Sequence, residues 1–424
     1  MIDRKQVPHI VDAVDFNLQL KPYKKFTLRN GVDVYTIDAG AEEVMYLEAV
    51  YYAGNWFEEK KGIASATNFL MKNGTSSKTA FQISEQFEYY GAYFSRACYS
   101  ETSTFTLHCL SKHIQELLPV VKDVLTDPVF PEKELEIYKQ NMQQGLTVKL
   151  KKSDYVANRL MDAHLFGEKH PYGTFNNHED YAALTRDEMV NFYQGHYAKG
   201  KWVMFAAGKL PDNLEEILNQ HLGDIPNKER SIDDKSFAPI TEKKHRIIND
   251  KKGVQAAIRI SRPFPNRHHP DFLNVQVLNA LFGGFFGSRL MKNIREDKGY
   301  TYGIHSYLQN HLQGGAWIIS TEAGKDVCDA TVEEVYKEMK LLRDGVIQED
   351  ELKLVKNYMM GSILGALDGP FQIISRWKNI ILNDMDESYF YNQIKTIKLI
   401  QAEEIQQVAK KYLNPEEFYE LVVI

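Results

Sequence analysis

The sequence has few cysteines, and those it has lie far apart. Cys98, Cys109 and Cys328 are the only three in 424 residues. Disulfide-rich secreted domains and zinc ribbons both need closely spaced cysteines, so the sequence excludes these two classes of protein. Such sparse use of cysteine favours a reducing compartment. We therefore expect a cytoplasmic protein, or a periplasmic one if a leader has been removed.

Long apolar runs and long basic stretches are also missing. No run approaches the roughly 20 apolar residues that a membrane span needs. The charges at positions 3 to 5 are followed by no apolar segment, so we expect neither a secretory signal nor a membrane anchor. The net charge is −6 and no stripe of lysine and arginine is present. This argues against nucleic acid as the main partner.

The thirteen histidines form no zinc motif on a helical segment. None occurs as His-x-x-x-His or His-x-x-Glu-His with helical periodicity around it. The adjacent His268 and His269, and the pair His305 and His311, occur in loop or strand contexts. Zinc in proteins is held by imidazole, thiolate or carboxylate. The sequence therefore predicts no metal site in this chain.

What the sequence does contain is the composition of an ordinary globular protein. It is 43% hydrophobic, 25% charged and 12% aromatic, with 14 prolines. A chain of this length exceeds the size at which a single hydrophobic core stops growing. We expect two domains or two similar halves.

The order of predicted elements occurs twice along the chain. Two β-rich runs fall within residues 26–53, where Asn30-Gly31 is typical of a hairpin turn, and a helix is predicted over 62–75. Another helix, two strands and an amphipathic helix follow, giving the order β, α, α, β, β, α. The same order starts again near residue 254. Strands and helices arranged in this way favour an α+β architecture over a doubly wound parallel sheet.

A direct sequence match supports two related halves. Residues 127–146 align with residues 344–363 at a constant offset of 217. The identical pairs are Asp127 with Asp344, Val129 with Val346, Glu134 with Glu351, Leu135 with Leu352, Lys139 with Lys356, and Met142 with Met359. We predict a first half over 1–222, a polar linker over 223–248 with two prolines, and a second half over 249–424. Each half is expected to be a largely antiparallel sheet packed with helices.

Several segments resemble the insulinase-like M16 metallopeptidases, in particular their short bacterial members and the related mitochondrial processing peptidase subunits. Gly62, Ala64, Gly74 and Thr75 are in register with the flanks of the family's zinc motif, G-x-A-H-x-x-E-H-M-x-F-x-G-T. Three further segments are similar to family sequences: HLFGEKHPYGT, FYQGHYAKGKWVMFAAG and, most specifically, FGGFFGSRLMKNIREDKGYTYGI. The resemblance covers nearly the whole chain and implies the two-half fold of LuxS-like and processing-peptidase-like metallohydrolases.

The zinc motif itself is absent. The family's first histidine, its glutamate and its second histidine correspond to Ser65, Asn68 and Phe69. Its third metal ligand, a glutamate, corresponds to Gly145, and a supporting glutamate corresponds to Tyr138. Because a hydroxyl, an amide and a phenyl ring do not replace two imidazoles and a carboxylate, we expect no zinc in this chain.

We expect the degenerate helix at 62–75 to be kept for packing. Ile63, Ala66, Phe69 and Leu70 are predicted to form an apolar stripe along it.

Arg295 and Tyr302 are the candidate substrate-binding residues. In M16 peptidases an arginine and a tyrosine at this spacing hold the peptide backbone, and the resemblance implies the same role here. The chemistry is suitable, since arginine offers a fork of donors to a carbonyl and tyrosine a hydroxyl to an oxyanion. The alternative is structural: Arg295 would pair with Glu296 or Asp297, and Tyr302 would pack in the core.

The glycine-rich turn contains Gly283, Gly284 and Gly287. It lacks the Gly-Lys-Ser/Thr ending of a phosphate-binding loop and follows no strand, so nucleotide binding is not expected. These glycines either allow a tight helix end or form a mobile rim over a peptide chamber, as the resemblance to mitochondrial subunits implies.

Three hypotheses for function follow. The first is a non-zinc-binding subunit of a split M16 peptidase, which supplies Arg295 and Tyr302 to a partner that carries His-x-x-Glu-His and zinc. It would be inactive alone and would act on unfolded peptides. The second is an inactive peptide-binding or scaffolding homodimer. The third is an independent peptidase with an unrecognised metal site.

Overall fold

The computed structural model describes residues 11–229 and 232–424. Within these ranges the chain forms two β-sheets packed with helices. The strands are β1 (Lys24–Thr27), β2 (Asp33–Asp38), β3 (Val44–Tyr51), β4 (Tyr93–Cys98), β5 (Ser103–Leu110), β6 (Trp202–Gly208), β7 (Lys244–Ile247), β8 (Gln255–Phe264), β9 (Thr301–Asn310), β10 (Gly315–Gly324) and β11 (Tyr419–Val423). The helices are α1 (Ile63–Leu70), α2 (Ala80–Tyr89), α3 (Ile114–Thr126), α4 (Glu132–Lys149), α5 (Ser153–Phe166), α6 (His178–Ala182), α7 (Arg186–His196), α8 (Leu214–Leu222), α9 (Phe272–Asn279), α10 (Cys328–Asp344), α11 (Glu349–Gly365), α12 (Pro370–Leu382), α13 (Glu387–Leu399) and α14 (Ala402–Tyr412).

The two sheets have the same strand order. The first runs β1-β2-β6-β3-β5-β4 and the second β7-β11-β8-β10-β9. Each contains one parallel pair, β2 with β6 and β7 with β11, and its other pairs are antiparallel. From β2 and from β7 onward the two sheets therefore match strand for strand. The predicted α+β fold of two homologous, largely antiparallel halves is confirmed.

Local sequence explains many of these elements. Gly31 adopts a φ of 82°, which a turn between β1 and β2 needs and which glycine adopts without steric cost. At the start of α2, Thr79 and Gln82 form a capping box, in which each side chain accepts a hydrogen bond from the other residue's backbone N–H. The segments that match at an offset of 217 residues occupy the junction of α3 with α4 and the junction of α10 with α11.

Strand β7 lies inside the segment that the sequence assigns to the linker. It pairs in parallel with β11, with Lys244 opposite Glu420 and Ile247 opposite Val423. In the second sheet it takes the place that β2 takes in the first. The second repeat of the fold thus begins at β7.

The halves are joined by reciprocal helix packing. Helix α5 of the first half packs on β8 and β11, and α12, which follows α11 as α5 follows α4, packs on β6 and β2. Across this contact Nζ of Lys378 lies 2.7 Å from Oε2 of Glu48 on β3, whose side chain is only 6% exposed. One hydrophobic cluster also crosses the boundary, since it includes Leu18, Ile37 and Phe205 together with the core of the second half.

None of the helices in residues 11–229 and 232–424 combines the length and the apolar character that crossing a membrane requires.

Candidate functional site

Helix α1 is the degenerate zinc helix, and its buried face differs from the predicted stripe. Ile63, Ala66 and Leu70 are buried as expected, and Thr67 is buried beside them. These positions follow the i, i+3, i+4, i+7 spacing of a single helix face. Phe69 lies off that face and is 39% exposed, so its assignment to the buried stripe was wrong.

The four positions that correspond to zinc ligands and catalytic glutamate offer no donor set for zinc. Oγ of Ser65 donates to the carbonyl oxygen of Gly62 at 3.1 Å, and Asn68 is buried with 2% exposure. The Phe69 ring lies 5.1 Å from the ring of Tyr138 on α4. A side chain at Gly145, farther along α4, would meet nothing within 4 Å. Since imidazole, thiolate and carboxylate are all absent here, these residues do not fit the metal.

Arg96 places a fixed positive charge against the degenerate site. Its guanidinium lies 4.1 Å from the centre of the Phe69 ring, as in a cation–π contact. Its Nε donates to the carbonyl oxygen of Phe69 at 2.5 Å, and its Nη2 to Oδ1 of Asn73 at 3.2 Å. Burial lowers the pKa of Arg96 to about 10, so it remains a cation at neutral pH. Sequence reasoning missed this residue, because nothing in the β-rich run around it predicts a position opposite α1.

A cavity of about 280 Å³ opens beside α1 and is lined in part by Glu58, Ser65 and Cys98. Burial raises the pKa of Glu58 to about 7, and its Oε2 accepts the backbone N–H of Ala64 at 3.1 Å, which caps α1. Burial also raises the pKa of Cys98 to about 12, so it is a neutral thiol. The described ranges contain no group of three or more histidine, cysteine, aspartate or glutamate side chains placed to hold a metal. The cavity therefore gives no support to an unrecognised zinc site.

Tyr302 lies at the start of β9 and points away from the core. The pairing of β9 with β10 shifts between Ile304 opposite Thr321 and Thr301 opposite Ala323. Two residues of β9 thus face one of β10, which is a β-bulge, and bulges turn side chains away from the regular alternation. The Tyr302 side chain is 91% exposed, so it is not packed in the core.

Arg295 lies in the π-helical segment Met291–Asp297, just before β9. Its guanidinium lies 4.6 Å from the centre of the Phe286 ring, and Phe286 is itself 60% exposed. Within the described ranges no carboxylate comes within ion-pair distance of Arg295, so Glu296 and Asp297 do not neutralise it. Arg295 and Tyr302 border the same end of β9, although their side chains do not hydrogen-bond to each other.

The three glycines of the glycine-rich turn lie where a Cβ atom would be close to neighbouring atoms, so they allow close packing. A Cβ at Gly283, in the π-helical segment Ala280–Gly284, would lie 2.7 Å from Cβ of Ser306 on β9. A Cβ at Gly284 would lie 3.1 Å from the carbonyl oxygen of Asn279, and one at Gly287 would lie 2.7 Å from the Phe285 ring. The helix end can therefore approach β9 only because Gly283 has no side chain, whereas Gly284 and Gly287 leave room for Asn279 and Phe285 of the same part of the chain.

Both candidate regions border a sheet edge. β4, which carries Arg96, is outermost in the first sheet, and β9 is outermost in the second. Within the described parts of the chain no other strand pairs with the outer side of either. Edge strands offer unpaired backbone groups to an extended peptide.

Comparisons with known proteins agree with this geometry. A family model described as "Insulinase (Peptidase family M16)" matches residues 44–174, and one described as "Peptidase M16 inactive domain" matches residues 183–359. A Bacillus subtilis protein named "Uncharacterized zinc protease YmxG" is 24% identical over 83% of this chain and 86% of its own length. A Helicobacter pylori protein named "Non-peptidase homolog YmxG" is 23% identical over 75% of this chain and 74% of its own. A crystal structure of a peptidase M16 inactive domain from Pseudomonas fluorescens superposes with a TM-score of 0.84 at 21% identity, covering 95% of this chain and 98% of that one.

Proposed function

This chain belongs to the M16 peptidase family and has the fold of its inactive-domain members, and we propose that it is the zinc-free subunit of a two-chain peptidase. In this proposal a partner M16 chain carries the His-x-x-Glu-His helix and supplies the zinc. The present chain binds the unfolded peptide and holds it against the partner's site.

The observation that carries the proposal is the contrast between the two candidate regions. Around α1 the donor set does not fit zinc, and Arg96 adds a positive charge. At the start of β9, Tyr302 is 91% exposed beside a bulge, and Arg295 has no acidic partner among the described residues. A tyrosine so exposed contributes little to folding, so its position is better explained by contact with another molecule.

The residues at the β9 edge have the chemistry for holding a peptide. The guanidinium of Arg295 offers donors in a fixed fork to a peptide carbonyl. The hydroxyl of Tyr302 can donate to an oxyanion that develops on the carbonyl under attack. The backbone of an extended peptide can hydrogen-bond to the free side of β9. The hydrolytic water and its activation would come from the partner chain.

The experiment is a reconstitution with purified chains. The wild-type protein is mixed with a zinc-motif homologue from the same genome, and cleavage of a fluorogenic unfolded peptide is measured. We expect each chain alone to be inactive and the mixture to be active. In the mixture, Arg295→Ala and Tyr302→Phe should each lower kcat/KM by about 100-fold, which is a typical loss for one transition-state donor.

Matched controls separate these roles from general surface effects. Lys292→Ala removes a cation from the same helical segment, and Tyr89→Phe removes a hydroxyl from a tyrosine that is 82% exposed on α2. Both controls should keep activity within about twofold of wild type, since such surface changes are nearly neutral. Full activity of the mixture that contains the Arg295 and Tyr302 variants would overturn the proposed role.

A second function is supported by a relative. The Helicobacter pylori protein that matches this chain is named as a non-peptidase homologue. By analogy, this chain would form a homodimer that binds peptides or acts as a scaffold without cleaving them. Sedimentation of the protein alone and with the zinc-motif homologue separates the two functions, because only the split peptidase requires a heterodimer.

A further inference from the structure

A cavity in the second half is lined by two arginines for which the described part of the chain provides no acidic partner. It measures about 530 Å³ and is bounded by residues of α9, α12 and α13. Arg267 reaches it from the loop after β8, and Arg376 reaches it from α12. Neither Arg295 nor Tyr302 lines it, so it is separate from the proposed peptide site.

Among the described residues, only neutral groups contact the two guanidinium groups. Nη2 of Arg376 donates to Oε1 of Gln393 at 2.7 Å, and Nη1 of Arg267 donates to Oδ1 of Asn379. The Nε–H of each arginine is buried and has no acceptor. Burial lowers the pKa of both arginines, and the charge of Arg267 lowers that of Arg376 further. In the described parts of the chain, neither has a carboxylate within ion-pair distance.

Several other arginines of the second half have acidic partners, although Arg295 has none in the part of the chain that the structure describes. Four of them have a carboxylate within ion-pair distance, including one whose side chain is 1% exposed. The pairs are Arg246 with Asp329 and Glu420, Arg259 with Asp154, Arg262 with Glu417, and Arg289 with Glu351. Removing a cation from water without an opposite charge is costly, and two adjacent cations also repel each other. Their missing counter-charge is best supplied by a bound anion.

The lining of the cavity indicates the class of anion. We propose that it binds a small phosphomonoester, with the phosphate held between Arg267 and Arg376. A phosphomonoester carries a charge of about −1.5 to −2 at pH 7, which balances two guanidinium groups, whereas one carboxylate balances only one. Arginine forks match phosphate geometry, and the hydroxyls of Ser375 and Tyr389 add donors.

The size of the cavity favours an organic phosphate over the free ion. Pockets for small molecules are typically about 300 to 1,000 Å³, and this cavity of about 530 Å³ falls in that range. Phe371 and Ile380 provide an apolar wall away from the charges. The organic part of the ligand would pack on that wall.

Titration calorimetry of the full-length protein tests the proposal with three probes. Phenyl phosphate combines the phosphate with an apolar ring, inorganic phosphate lacks the ring, and benzoate carries the ring on a carboxylate. We expect phenyl phosphate to bind one site per chain, about tenfold or more tighter than either of the other two. Tighter binding of benzoate would overturn the assignment to phosphate. Equal affinity for inorganic phosphate would overturn the assignment to a monoester.

Variants locate the binding site. Arg267→Gln and Arg376→Gln should each weaken phenyl phosphate binding by about tenfold or more. The control is Lys395→Gln, which removes a positive charge from an exposed position on α13. It should change the affinity for phenyl phosphate by less than about twofold. Without ligand, both arginine variants should unfold at or near the wild-type temperature, because each removes a half-buried charge that has no acidic partner among the described residues. Arg376→Lys keeps the charge and should bind with intermediate affinity. Undiminished binding by both glutamine variants would overturn the proposal.

Discussion

Arg96 should weaken zinc binding even after the ligands of the degenerate site are restored. The test begins with a fourfold variant that contains Ser65→His, Asn68→Glu, Phe69→His and Gly145→Glu. A fivefold variant adds Arg96→Ala. The new side chain at position 145 has space, since nothing lies within 4 Å of its Cβ position.

The size of the effect follows from the distance between Arg96 and position 69. The guanidinium lies 4.1 Å from the centre of the Phe69 ring. Zinc lies about 2 Å beyond the imidazole nitrogen that binds it, so zinc on histidine at position 69 would be on the order of 4 to 7 Å from the guanidinium. At an effective dielectric constant of about 20, a divalent and a monovalent cation at these distances repel by about 5 to 8 kcal/mol.

The measured difference in zinc-binding free energy between the two variants should be smaller than this repulsion, because Arg96 can turn away from the metal. In doing so it would lose its hydrogen bonds to the carbonyl oxygen of residue 69 and to Asn73. We therefore expect the fivefold variant to bind zinc more tightly than the fourfold variant by about 3 kcal/mol of binding free energy, which is about 100-fold in Kd.

Competition with a chelating dye measures the two zinc affinities at low ionic strength. The control is Lys72→Ala in the fourfold variant, since the Nζ of Lys72 lies over the rings of Phe87 and Phe94 and not over Phe69. This change should improve the affinity much less than Arg96→Ala does. Zinc affinities within about threefold of each other in the fourfold and fivefold variants would refute the electrostatic argument.

Three further predictions concern stability, each measured by urea unfolding. Lys378→Met should lower the free energy of unfolding by about 3 to 5 kcal/mol, because it leaves the buried Glu48 carboxylate uncompensated. The double variant that also carries Glu48→Gln should regain most of this stability. A loss below about 1 kcal/mol in the single variant would contradict the ion-pair argument. Gly283→Ala should lower the free energy of unfolding by about 1 to 3 kcal/mol, since its Cβ would lie 2.7 Å from a side-chain carbon on β9. The control is Gly361→Ala on α11, where the new Cβ would meet nothing within 4 Å and the change should be neutral or stabilising. Burial lowers the pKa of His311 to about 4, so this side chain binds fewer protons in the folded protein than in the unfolded chain between pH 4 and 6.5, and its contribution to stability should fall by about 3 kcal/mol as the pH falls through that window. His311→Phe should make the free energy of unfolding depend less on pH between pH 4 and 6.5. An unchanged pH dependence would contradict its assignment to His311.

The parts of the fold that could be predicted from the sequence are those with local or repeated signals. The Asn30-Gly31 turn specifies its hairpin through backbone conformation alone. The match at an offset of 217 residues is visible because both copies keep the same helix junction. Strand β7 has neither advantage, since it is four residues within a charged segment, and pairing with β11 more than 170 residues away makes it a strand.

The candidate site was predictable only where a motif specifies it. Comparison with the zinc motif locates Ser65, Asn68 and Phe69, and the family segment locates Arg295 and Tyr302. The exposure of Tyr302 depends on a bulge that arises from the pairing of β9 with β10, which sequence periodicity does not predict. Arg267 and Arg376 are 109 positions apart, so only the tertiary packing of α12 against the loop after β8 brings them together.

The loss of chemistry at α1 goes further than the loss of a metal. A carbonyl placed near Arg96 could accept its hydrogen bonds, but a guanidinium has no open coordination position at which to activate water. A base would also be required, and Glu58 is the carboxylate that lines the adjacent cavity. Its pKa of about 7 leaves it partly protonated at neutral pH, and its Oε2 is already bonded to the backbone of Ala64. A peptide bound along β4 would therefore be held without being cleaved, and in the proposed split peptidase its cleavage would depend on the partner chain.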